Sequence, residues 1–179
     1  MPTNLLKKYP ELLEILHLDE PGRNKSLRAV FNRDIQDNTN LKFRNKIVFP
    51  IKTDGEIDMH RQFKHLTCDE IKLIDEHGKE YTQRIFEKDR SHRLHWIKPH
   101  IDEEVTKDVL VFSTVERDFK NRKDVNVTYL YNKKQKYLIV LEPMRECPAY
   151  FMKSAYYLNK EWGEKEIEKK IKKKLPDIL

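Results

Sequence analysis

The chain of 179 residues holds only two cysteines and four glycines. Cys68 and Cys147 are too few and too far apart for a disulfide framework. With so little glycine, tight turns must rest on Asn, Asp and Pro. No apolar run approaches the ~18 residues of a membrane-spanning helix. The first residues, M-P-T-N-L-L-K-K, lack the basic head, apolar stretch and cleavage site of a secretory leader. A cytoplasmic protein with reduced thiols and no membrane span is therefore expected. Catalytic signatures are missing as well: no Walker loop, G-x-S-x-G, H-E-x-x-H or EF-hand pattern occurs. Nucleotide-driven motors, α/β-hydrolases and zincins are excluded on that ground. His60, His65 and Cys68 are neighbours in sequence, but H-x4-H-x2-C matches no common zinc spacing, and neither metal nor cofactor is expected.

Charge is what the chain has in quantity. Thirty-six basic and 30 acidic residues leave a net +6, and charged residues make up 37% of the whole. Much of the excess lies in the lysine-rich end. Such a balance permits a polyanionic partner without requiring one, and a run of lysines equally makes a solvated helix face.

Hydrophobic spacing predicts an α+β protein. Residues 3–18 read as helix, with Leu12, Leu13 and Leu16 on one face. Leu27, Val30, Phe31 and Ile35 give a second amphipathic helix. Lys46 to Ile51 suggests a short strand, and Asp58 a cap for a helix through Met59, Phe63 and Leu66. Glu76-His77-Gly78 reads as a hairpin or irregular link. From Ile85 a helix is expected to run to Lys98, where Pro99 disfavours continuation. Four strand-like runs follow: 109–115, 125–131, 136–141 and 149–158. A helix from Glu161 to Leu175, with Trp162, Ile167 and Ile171 near one face, closes the chain. The expected organisation is a mainly helical region, 1–80, then an α+β unit, 81–179. That unit has a helix, a four-stranded antiparallel sheet with helices on one side, and a C-terminal helix.

Two stretches invite chemistry. In R-S-H-R-L-H-W-I-K-P-H-I (Arg90 to Ile101), Arg90 and Arg93 fall on or beside the apolar stripe of Phe86, Leu94 and Ile97. Buried cations need partners, so these two either pair within the fold or line a cationic cleft suited to phosphate. In the last strand, alternation places Tyr150, Met152, Ser154 and Tyr156 on one face and Phe151, Lys153, Ala155 and Tyr157 on the other. Rings beside Lys and Ser suit RNA, yet strand aromatics also build ordinary cores. Thr128 and Ser113 offer hydroxyls on neighbouring strands.

The segments R-L-H-W-I-K (93–98), T-Y-L-Y-N (128–132), K-Y-L-I-V-L-E (136–142) and K-S-A-Y-Y-L (153–158), with the tail K-E-I-E-K-K-I-K-K-K, give an order of elements that resembles the barnase–colicin–RelE (BECR-like) small ribonucleases. The resemblance spans about residues 85–175 and is similar to phage- and prophage-encoded proteins of that class. M-H-R-Q-F-K-H-L-T (59–67) resembles a recurring segment of the same proteins, without a chemistry attached. The resemblance implies a metal-independent endoribonuclease in which a ribose 2′-OH attacks the adjacent phosphate. Arg90 and Arg93 would stabilise the phosphorane, and His95, or else His100, would move the proton. Ser154 would position phosphate, while Lys98, Lys153, Tyr156 and Thr128 would hold RNA. Partners would be RNA and a host or immunity protein. A non-enzymatic module binding nucleic acid or a host protein, and a structural protein of a mobile element, stand beside this reading.

Overall fold

The computed structural model describes residues 3–119 and 121–179. Residues 3–18, expected as helix, form a single 3-10 turn, Thr3–Leu6. Besides Asn4 in that turn, the buried residues here are Leu13 and Ile15, two apart, whereas Leu12 and Leu16 are 40% and 61% exposed. That is the period of extended chain, not of a helix. The segment instead lies along later helices: Leu13 N donates to His92 O at 3.0 Å, and the Trp96 indole N–H to Glu11 O at 2.9 Å. Helix α1 (Glu20–Phe31) follows, with Asp19 accepting from Gly22 N at 2.9 Å as its cap. A Cβ at position 22 would stand 2.6 Å from that carboxylate oxygen, so the small residue suits the cap. One π-helical turn, Asn32–Gln36, extends α1 and is closed by Asp37 N donating to Asn32 O at 2.8 Å.

Four short strands come next: β1 (Lys42–Phe43), β2 (Lys46–Phe49), β3 (Lys52–Thr53) and β4 (Glu56–Ile57). Helix α2 (Met59–Thr67) begins at Asp58, whose carboxylate accepts from Arg61 N at 2.8 Å. It leads into a hairpin of β5 (Cys68–Ile74) and β6 (Glu80–Phe86), seven residues a strand, paired from Cys68–Phe86 to Ile74–Glu80. Phe86 thus belongs to a strand, and the expected helix 85–98 is three short pieces. These are α3 (Lys88–Ser91), a 3-10 turn at Leu94–Trp96, and α4 (Ile97–Ile101). Pro99 sits inside α4 rather than beyond it, in the first turn, where a missing N–H leaves no bond unmade.

The remaining strands are β7 (Val109–Asp118), β8 (Lys123–Asn132), β9 (Tyr137–Pro143) and β10 (Ala149–Tyr157), before helix α5 (Glu161–Lys172). They form the expected antiparallel meander, but the sheet is larger and mixed. Its order is β1-β2-β10-β9-β8-β7, and β2 runs parallel to β10 through Ala149–Ile47, Tyr150–Val48 and Phe151–Phe49. The stretch 1–80 therefore supplies two strands of this sheet, and the boundary at 80 falls within the β5–β6 hairpin.

Helices cover both faces of the sheet, not one. Tyr137, Ile139 and Leu141 of β9 pack under α1, α4 and the N-terminal segment, while Leu138 faces α5 with Tyr129 and Ile167. Strict alternation along β9 divides the two cores. On β10 the alternation breaks. Met152 pairs with Leu141 but Ser154 with Val140, so Lys153 is the extra residue of a β-bulge. Beyond the bulge the phase inverts: Tyr150 and Met152 share the first core with Ala155, whereas Tyr156 packs against the second. The expected single face of Tyr150, Met152, Ser154 and Tyr156 is split by that residue. Trp162, expected near the apolar face of α5, is 62% exposed. After α5 the chain turns across the outer edge of β7, where Leu175 N donates to Ser113 O at 2.8 Å and Leu179 N to Ser113 Oγ at 3.0 Å. Among the described residues no helix is long and apolar enough to cross a membrane.

Ile139 is fully buried at the centre of the first core. Ile139→Ala is expected to cost about 2–5 kcal/mol, read as a lower urea midpoint. Ile74→Ala, at a position 69% exposed, should shift that midpoint little.

Candidate nucleic-acid interface

The two arginines of the apolar stripe are held by the fold. Arg90 Nη1 donates to His65 O at 2.7 Å and Cys68 O at 2.9 Å, and Nη2 lies 3.7 Å from Asp69 Oδ1. It thereby satisfies carbonyls at the C-terminal end of α2, which have no partner within the helix. Arg93 Nη1 donates to Asp89 O at 2.7 Å, and its guanidinium stacks 3.9 Å from the Tyr157 ring centre. Arg90 stands over Tyr156 instead, at 5.5 Å, in a cleft of about 360 Å³ between β10, α3 and α5.

The expected histidines lie elsewhere. His95 is 3% exposed and borders a separate cavity with Arg33, Asp34 and Lys98. Burial pushes its pKa down to about 4, against a weaker upward pull from Asp34. Neither ring nitrogen makes a well-formed hydrogen bond. His100 is buried and satisfied: Nδ1 donates to Trp96 O at 2.7 Å and Nε2 accepts from Asn132 Nδ2 at 3.0 Å. Since a carbonyl can only accept, Nδ1 carries the proton and the ring is neutral. Burial lowers its pKa too.

Ser154 borders neither cavity. Lys98 pairs with Asp102, and Lys153, at the bulge, with Glu142 at 2.7 Å. Thr128 is fully buried and bonds Ser113 Oγ at 2.8 Å. Arg90 and Tyr156 thus share one cleft, but Arg93, His95, His100 and Ser154 do not join them there.

The structure instead gathers cations around α2. On a helical projection, Gln62, Phe63, Leu66 and Thr67 are buried, while His60, Arg61 and Lys64 face out and His65 lies at the margin. The nine residues of this helix contain no acid. Its inner side is anchored firmly. Gln62 Oε1 accepts from Ile51 N at 2.7 Å, and the Ser91 hydroxyl donates to Thr67 O at 2.9 Å.

A cavity of about 380 Å³ lies on one flank, between α1, α2 and β6. Arg23 and Arg28 of α1 enter it lying flat on aromatic rings, 4.0 Å from the centre of Phe86 and 3.8 Å from that of Phe63. Among the described residues neither has a carboxylate within ion-pairing distance, and the same holds for Lys64. Burial lowers the Arg28 pKa, but a guanidinium remains protonated. Arg84 joins them, paired to Glu70 at 3.2 Å. On the other flank a cavity of about 260 Å³ opens between α2 and β10, bordered by Lys52, Arg61, His65 and Lys153 with Glu142. His65 is half-buried there. Burial first, then Arg84, Arg61, Arg90 and Lys153, push its pKa to about 4.

The acid-free stretch 59–67 carries a sequence signal, four basic or histidine side chains at positions that share the outer half of a helix. Arg23, Arg28 and Lys52 carried none, because their convergence on α2 is made by tertiary packing. Comparison with known proteins finds no family model, no curated protein and no solved structure that matches this chain.

His65 and His95 are neutral in the fold, while the unfolded chain protonates them near pH 6.5. Their contribution to stability is complete above that pH and is lost as pH falls from about 6.5 toward 4. Urea midpoints should decline over this range. The decline between pH 6.5 and 5, where carboxylates are still ionised, should shrink in His95→Gln; an unchanged slope would exclude His95 as its source.

Proposed function

We propose that the protein is a non-enzymatic module that binds nucleic acid through the cationic face centred on α2. The observation that carries this reading is the pair Arg23 and Arg28. Each is braced against a phenylalanine ring without a carboxylate in ion-pairing distance, and both open into one cavity with Lys64, where, among the described residues, Glu20 is the one bordering acid against four cations. A guanidinium in that state has terminal N–H groups not taken by a carboxylate and has already lost much of its side-chain freedom, although the Nε of Arg23 is itself enclosed. Arg61 and Lys52 extend the same unpaired charge across the helix. The residues expected to cleave RNA give no comparable support. The proton-transfer candidates His95 and His100 are buried away from Arg90 and Ser154, and His100 is saturated by Trp96 and Asn132.

Three to five phosphates neutralised by these cations would give a characteristic salt dependence. Affinity for a labelled mixed-sequence oligonucleotide should fall by about 40- to 500-fold between 50 and 200 mM salt. Arg28→Glu with Lys64→Glu should weaken binding at least about tenfold at the lower salt. Lys134→Glu, in the β8–β9 turn, should change it little. Fluorescence anisotropy reads both. Binding that is absent or indifferent to salt would overturn the proposal.

A further inference from the structure

From the shape of this face we infer that its ligand is duplex DNA of B form, with α2 seated in the major groove. The inference rests on the nucleic-acid reading above and names its substrate class. The face is not a flat basic patch. It is a helix with its outer side exposed and a concavity on each flank, one lined by Arg23, Arg28 and Lys64 beside Glu20, the other by Lys52 and Arg61 beside a Lys153 already paired to Glu142. That relief is the negative of a groove bounded by two phosphate backbones.

The dimensions agree. A helix with its side chains is about 10–12 Å across, and the major groove of B-DNA is about 12 Å wide and 8.5 Å deep. Nine residues at about 1.5 Å each run for roughly 13.5 Å, or about four base-pair steps of 3.4 Å.

The outward residues divide by position. Arg61 and Lys64 leave the helix on its outermost line and each borders one hollow, Arg61 donating to Thr53 Oγ1 at 3.1 Å; from that line either can reach guanine O6 and N7. Arg23, Arg28 and Lys52 stand in the hollows, where they meet only phosphate and would carry no sequence information. The helix is also held rigidly. Asp58 caps its start, and Arg90 binds the carbonyls of His65 and Cys68 at its end. Side chains on such a helix are presented to the groove without a large ordering cost on binding. A-form RNA has a deep, narrow major groove that does not admit a helix, and a single strand offers one backbone where this face has two cationic hollows.

The test compares one mixed sequence as double-stranded DNA, double-stranded RNA and single-stranded DNA, by anisotropy with the full chain. Duplex DNA should bind tighter than either alternative by at least about tenfold. Bound protein should protect guanine N7 from methylation, and Arg61→Ala should abolish that protection. Arg28→Ala should leave the protection in place and reduce the slope of log affinity against log salt by about 0.9. Equal or tighter binding of duplex RNA or single strands, or unprotected N7 positions on bound DNA, would overturn this inference while leaving the broader reading standing. Absence of binding to all three would remove the broader reading itself.

Discussion

The parallel pairing of β2 with β10 is the contact on which the rest of the arrangement depends. It is only three residue pairs long, yet it joins the last strand of the meander to a segment about a hundred residues earlier. Because β2 is fixed there, the chain that leaves it through β3 and β4 places α2 beside β10. The hairpin that follows returns to α3 just beneath it. Phe43 packs edge-on to Tyr150 at 5.7 Å, so the added strands share the core of the meander rather than lying outside it. A connection between parallel strands this distant is costly in chain entropy and must be offset by burial. The first core supplies that burial, drawing Leu27, Phe31 and Val48 from one half and Leu130, Ile139 and Met152 from the other.

Arg90 shows how one residue can resemble a reactive group while serving architecture. Its guanidinium is mostly enclosed, which would be unfavourable for a lone charge. Two main-chain carbonyls and a nearby carboxylate compensate it, and the result is a fastened end for α2. Arg23 and Arg28 show the opposite economy. Their flat faces are covered by rings, and their polar edges are left without an acidic partner. The contrast between spent and unspent guanidinium groups is what the proposed interface rests on.

Much of the fold was legible from residue types. The strands of the meander follow dense runs of β-branched and aromatic residues, and Asp58 caps α2 as its position suggested. What escaped were features without a local signature. The bulge at Lys153 inverts β10 in mid-strand, and no residue type demands an extra position there. The partners of Arg90 are the backbone oxygens of His65 and Cys68, atoms that every residue possesses, so its role could not be read from side chains. Ile15 was hidden because Leu12 and Leu16, grouped with Leu13 on one face, imitate helical spacing but face solvent. The expected site failed to assemble for a related reason. Spacing makes Ile85 to Lys98 read as one helix, whereas its breaks at His92–Arg93 and at Leu94–Trp96 send Arg90, Arg93 and His95 to different neighbours.

The segment after α5 bears on how this molecule behaves among its own copies. An antiparallel meander ends in a strand whose outward amides and carbonyls invite another chain to add itself, the first step of edge-to-edge aggregation. Here Leu175 occupies the outward carbonyl of Ser113, near the middle of β7, and the chain beyond it folds over the side-chain hydroxyl. At the opposite margin β1 is two residues long, too short a template for stable strand addition. The six-stranded sheet is thereby blunted at both margins, which disfavours the joining of one copy's sheet to the next.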